Sequence, residues 1–109
     1  MPTIKISKLR AYVSFLTPSI LKRDSYKCQL CGSEKDLETH HIQSVKDHPF
    51  LILKPTNLIT LCHECHFVKA HLHNSKRMSP EIQYQLSIIA DALELENPTE
   101  LPDSLKIFL

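Results

Sequence analysis

The four cysteines of this 109-residue chain come as two Cys-x-x-Cys pairs, Cys28/Cys31 and Cys62/Cys65, with thirty residues between them. Each pair brings two thiols onto one tight turn, and four thiolates make a closed tetrahedral site for Zn²⁺. Such a site holds structure, because it leaves no position open for a substrate. It also suits a chain of this size, whose core alone supplies modest stability. The rival use of four cysteines, two disulfides, belongs to an oxidising compartment. The opening Met1-Pro2-Thr3-Ile4-Lys5 lacks the apolar stretch of a secretory signal, so a reducing, cytoplasmic setting and a metal are expected. No run approaches the roughly 20 apolar residues of a membrane span, and no membrane partner is expected.

The thirty-residue separation exceeds the usual zinc-ribbon spacing of about 15–20, which points to a functional insertion between the knuckles. Within it stand His40-His41 and Asn57, and His66 follows the last cysteine. A Cys₄ site makes no use of these. Cys62-His63-Glu64-Cys65-His66 also spells the c-type haem attachment motif, but haem would leave Cys28 and Cys31 without a role. A His-Glu-x-x-His metalloprotease pattern needs His at 67, which is Phe.

Charge is unevenly distributed. Residues 1–79 carry twelve Lys/Arg against six Asp/Glu, and residues 80–109 carry one against six. A basic body with an acidic tail suits a polyanionic partner such as nucleic acid. Lys5, Lys8, Arg10, Lys22, Arg23, Lys27, Lys69, Lys76 and Arg77 are the candidate phosphate contacts.

Periodicity supplies the frame. Leu9, Val13, Leu16 and Ile20 recur at helical spacing from about residue 4 to 16. Thr17-Pro18 reads as a break, with a short second helix over 18–25. Gly32, the chain's single glycine, closes the first knuckle where the turn needs a permissive backbone. Residues 37–42 read as a strand on which His40 and His41 face opposite ways, 43–56 as a loop, and 57–61 as a return strand. A helix over 63–73 carries His66. Ser79-Pro80 starts another over 80–95, whose Ile82, Leu86, Ile89 and Leu93 form an apolar stripe for the core, for a homodimer partner or for a larger complex. Residues 97–109 form a tail with an apolar end (Leu105, Ile107, Phe108, Leu109). The whole of 1–109 reads as one domain.

Three stretches in order, Arg23-Asp24-Ser25-Tyr26-Lys27-Cys28-Gln29-Leu30-Cys31-Gly32, Glu38-Thr39-His40-His41-Ile42, and Asn57-Leu58-Ile59-Thr60-Leu61-Cys62 with Cys65-His66, resemble the HNH (ββα-metal) endonuclease family in its version with two zinc knuckles. The resemblance covers about residues 20–75. It implies an α+β fold: a small ββα-metal core with a structural Cys₄ zinc site, flanked by N- and C-terminal helices. It implies a DNA endonuclease or nickase that leaves 5′-phosphate and 3′-hydroxyl ends. His41 matches the general base and Asn57 the residue bracing the loop that orients it. His40 and His66 match ligands of a catalytic divalent metal, whether Mg²⁺, Mn²⁺, Ni²⁺ or Zn²⁺.

One departure stands out. A third ligand one helical turn after His66 would fall at position 70, which is Ala; His71 serves only if the helix bends or ends early, and otherwise it and His73 are surface or DNA-contacting residues. His48 and His63 have no assigned role. The alternative to a nuclease is a zinc-knuckle module on the same scaffold that binds nucleic acid or protein without cutting. A purely structural zinc domain would leave the His cluster unused.

Overall fold

Strands β1 (Leu37–His41) and β2 (Leu58–Cys62) pair antiparallel, with His40 opposite Ile59 and His41 opposite Leu58. The structure, a computed structural model, describes residues 6–71 and 78–103. All five residues of β2 are buried, because both faces of the strand are covered and alternation divides its side chains between them. Leu58 joins Leu16 and Ile20 of helix α1 (Ile6–Arg23) on one face. Ile59 and Leu61 join Ile42 with Leu86 and Ala90 of helix α2 (Pro80–Glu96) on the other. The layers run α1, sheet, then α2 together with a short π-helical segment, Cys65–Ala70. This is the small α+β, ββα arrangement with flanking helices that the sequence implied.

Helix α1 departs from expectation. It runs unbroken from Ile6 to Arg23 with Pro18 inside it. Proline costs a helix interior one N–H donor, yet fully buried Leu16 and Ile20 hold both halves on the same core. The Thr17 hydroxyl, instead of capping a new helix, donates back to the Val13 carbonyl at 3.1 Å. Packing overrides the local stop signal. The start of the predicted segment at 4–5 lies outside the described residues.

Helix α2 begins as its sequence dictates: the Ser79 hydroxyl accepts from the Ile82 amide and Pro80 occupies the first turn. Its stripe packs on the chain's own core through Leu86, Ala90, Ile82 and Ile89. Leu105, Ile107, Phe108 and Leu109 lie outside the described residues. No described helix is long and apolar enough to cross a membrane.

Arg23 is a correction to the charge reading. It is 2% exposed and therefore no phosphate contact. Its Nε donates to Asp24 Oδ1 at 2.7 Å, Nη2 to the Leu58 carbonyl at 2.6 Å, and Nη1 to the Pro55 carbonyl at 2.7 Å and Glu94 Oε2 at 3.2 Å. Asp24 Oδ2 in turn accepts from the Thr60 amide at 2.8 Å. One guanidinium thus joins α1, the start of β2 and α2. Removing one partner of a buried pair leaves the other charge uncompensated, at a cost of about 3–5 kcal/mol. Arg23→Ala is expected to lower the urea midpoint by a corresponding amount, and a midpoint unchanged from wild type would show that the cluster contributes nothing.

Candidate functional site

The first knuckle turns at Gly32, whose φ of 80° is left-handed and whose amide donates to the Cys28 carbonyl at 2.8 Å. The second knuckle runs from the end of β2 into the π-helical segment. They meet so that the four sulfurs of Cys28, Cys31, Cys62 and Cys65 lie within 4.8 Å of one another. None is in a disulfide. Cys31 and Cys62 Sγ are 3.7 Å apart, close to the about 3.8 Å edge of a tetrahedron with zinc–sulfur arms of 2.3 Å.

The thiols also fit a cation electrostatically. Burial pushes the Cys62 and Cys65 thiols up, and the neighbouring thiols add to that. At Cys28 burial acts in the same direction, but the amides of Cys62, Cys31 and Leu30 outweigh it and bring the thiol down to about 7. Four sulfurs packed together resist joint ionisation unless a divalent ion shares the site. This is a zinc-type centre.

A second cluster is formed by His40, His66 and His71, one ring nitrogen of each lying within 4.8 Å of the others. Ring centroids are 4.8 Å apart for His40–His66, 5.1 Å for His40–His71 and 4.9 Å for His66–His71. His71 reaches the cluster because the helix carrying His66 is π-helical: the His71 amide donates to the His66 carbonyl at 3.0 Å, an i→i+5 bond. The wider turn takes one more residue than an α-turn, so His71 comes round toward His66 and Ala70 is buried in the core. His73 lies outside the described residues.

Burial favours the neutral form of His40, the form in which imidazole ligates metals. Burial, with contributions from His66, His71 and His41, pushes His40 down to about 3 although Gln83 acts the other way. His66 Nδ1 sits 3.2 Å from Glu38 Oε1, a carboxylate–histidine pairing of the kind that orients metal ligands. His40 Nδ1 is buried and has no partner. Three imidazole donors, one of them with a nitrogen orphaned in the interior, fit a divalent ion.

His41, on the opposite face of β1, is outside this triplet. Its Nε2 lies 3.0 Å from the Ile52 carbonyl. A carbonyl only accepts, so Nε2 carries the proton and Nδ1 the lone pair. Burial holds the ring below the ordinary imidazole range, partly countered by the Ile52 carbonyl and assisted by Arg10. The loop supplying that carbonyl is clamped by Asn57, 5% exposed. Asn57 Oδ1 accepts from the Gln43 amide at 2.8 Å, and Nδ2 donates to the carbonyls of Gln43 at 3.2 Å and Leu51 at 3.3 Å.

His41 and the triplet line one pocket of about 290 Å³, to which α1 contributes Arg10 and the loop contributes Ser44 and Lys46. Of the other candidate phosphate contacts, Lys22 lies 3.4 Å from Glu100; Lys5, Lys76 and Arg77 and the side chain of Lys8 lie outside the described residues.

Sequence reasoning passed over two side chains at the site. Glu38 was legible, since it stands two positions before His40 on the same face of β1, and it contacts both His66 and His63. Gln83 carried no local signal: it comes from α2, 43 positions beyond His40.

Residues 28–71 match the model of the HNH endonuclease family, a stretch running from the first knuckle to the last histidine of the triplet. The match takes in both cysteine knuckles, the two-stranded sheet and the histidine triplet, so the core of this chain resembles that of the HNH endonucleases. Among curated proteins, the chain is similar to the "Putative COX1/OXI3 intron 2 protein" of Saccharomyces cerevisiae (strain ATCC 204508 / S288c), at 34% identity over 76 residues. The match takes in 61% of this chain and spans only 8% of the length of that relative. No solved structure matches the chain.

Proposed function

We propose that this protein is a metal-dependent HNH endonuclease that hydrolyses DNA phosphodiester bonds, by nicking or by cleavage. The observation that carries the reading is His41, fixed through Nε2 by the Ile52 carbonyl so that the lone pair at Nδ1 is available in the pocket that the histidine triplet also lines. Neutral imidazole is matched to proton transfer near pH 7.

In this reading His40, His66 and His71 hold the catalytic divalent ion, Mg²⁺, Mn²⁺, Ni²⁺ or Zn²⁺, and the four cysteines hold structural zinc. The catalytic ion, when bound, stabilises negative charge on the phosphate as it develops. His41 Nδ1 takes a proton from water as the water oxygen attacks phosphorus. The bond from phosphorus to the 3′-oxygen breaks, that oxygen takes a proton from solvent water and His41 releases its own to solvent, leaving 5′-phosphate and 3′-hydroxyl ends. Asn57 keeps the loop, and with it the Ile52 carbonyl, in place through the cycle. Arg10 and Lys46 supply positive charge at the pocket wall for the substrate backbone. Such contacts position DNA without reading its sequence. A reducing, cytoplasmic compartment suits the thiols.

The test is purified zinc-loaded protein on supercoiled plasmid with each of the four metals, with and without chelator. Metal-dependent conversion to open circles that DNA ligase reseals is expected, since ligase needs those two ends. DNA binding with no cutting in any metal would overturn the reading in favour of a binding module.

A further inference from the structure

His40 is the most deeply buried of the three histidines, at 1% exposure, and its two ring nitrogens are treated differently. Nε2 lies 2.9 Å from Gln83 Oε1, whereas Nδ1 has no partner. The orientation of the Gln83 amide is set from its other end. Its Nε2 donates to the Ile42 carbonyl and lies 3.2 Å from Met78 Sδ. A flipped amide would set its oxygen against the Ile42 carbonyl and its NH₂ against His40, losing the first bond outright. The oxygen therefore faces His40. An amide oxygen cannot donate, so His40 Nε2 carries the proton and the lone pair stands at Nδ1.

We infer that Gln83 is a positioning residue for the histidine triplet, fixing His40 as the Nε2–H tautomer so that Nδ1 is its ligand atom. Glu38 treats His66 in the opposite sense, engaging Nδ1 at 3.2 Å and leaving Nε2 for the cluster. The two histidines thus ligate through different nitrogens, one held by β1 and the other by α2. Helix α2 lies wholly beyond the matched stretch 28–71, yet through Gln83 it completes the metal site. The inference rests on the reading that the triplet holds a divalent ion.

Two measurements on zinc-loaded protein test it, neither depending on cleavage. Long-range ¹H–¹⁵N correlation spectra of wild type, recorded before any second metal is added, are expected to show His40 protonated at Nε2. Calorimetric titration with Ni²⁺, an ion suited to imidazole ligands, is expected to show affinity falling roughly 10–100-fold in Gln83→Leu, the usual range for losing such a partner. The variant's zinc content should stay at that of wild type and its His40 spectrum should become a mixture of tautomers. A wild-type His40 protonated at Nδ1 overturns the inference whether or not the variant folds. Wild-type Ni²⁺ affinity in a folded Gln83→Leu protein overturns it too, while leaving the metal site standing. Absence of Ni²⁺ binding in wild type overturns the metal reading, and the inference with it.

Discussion

Cys65→Ser is expected to yield protein without stoichiometric zinc and without a cooperative unfolding transition. Cys65 is 2% exposed and sits in the main core cluster with Cys28 and Cys62, so metal site and core form one packing unit. The first knuckle is further tied to β2 by the Gln29 amide, which donates to the Thr60 carbonyl at 3.0 Å. Structural zinc contributes about 10–16 kcal/mol of apparent binding energy in small domains at neutral pH, as much as the whole stability of about 5–15 kcal/mol typical of a folded domain. The sign of the pH dependence follows from the thiols. Burial and neighbouring sulfurs hold Cys62 and Cys65 above the ordinary thiol range, so zinc must displace protons to bind, and acidification should release it. Metal analysis with a circular-dichroism melt checks both expectations. A sharp, wild-type melt in metal-free Cys65→Ser would remove the structural-zinc assignment.

His41→Ala should retain divalent-metal binding and DNA binding while cleavage falls by roughly 10²-fold or more, the order expected for loss of a general base. Its ring lies outside the histidine triplet, and its removal leaves the Arg23 cluster, the four cysteines and the triplet in place. Asn57→Ala should act in the same direction by a different route, since three hydrogen bonds from that side chain hold the loop. Single-turnover cleavage of an end-labelled duplex, alongside a binding titration, separates chemistry from affinity. A His41→Ala protein that cuts at the wild-type rate would dismiss the base assignment.

Local chemistry made much of this protein readable from its residues. Cysteine pairs announce a metal because four thiolates on two tight turns make a tetrahedral donor set. Strand alternation separates His40 from His41 whatever surrounds them, and Ser79-Pro80 starts a helix by satisfying its own amides. Those signals lie within a few residues of their effects. The unbroken α1 helix, the buried Arg23, the π-helical turn that delivers His71 and the Gln83 contact to His40 depend on groups distant in the chain. Pro18 is an accepted irregularity because Leu16 and Ile20 are buried on one core. Arg23 reads as a surface cation until Asp24, Leu58, Pro55 and Glu94 close around it. Hydrogen-bond satisfaction in the interior is a property of assembled neighbours, so only the folded chain could settle which ring nitrogen of His40 is left without a partner.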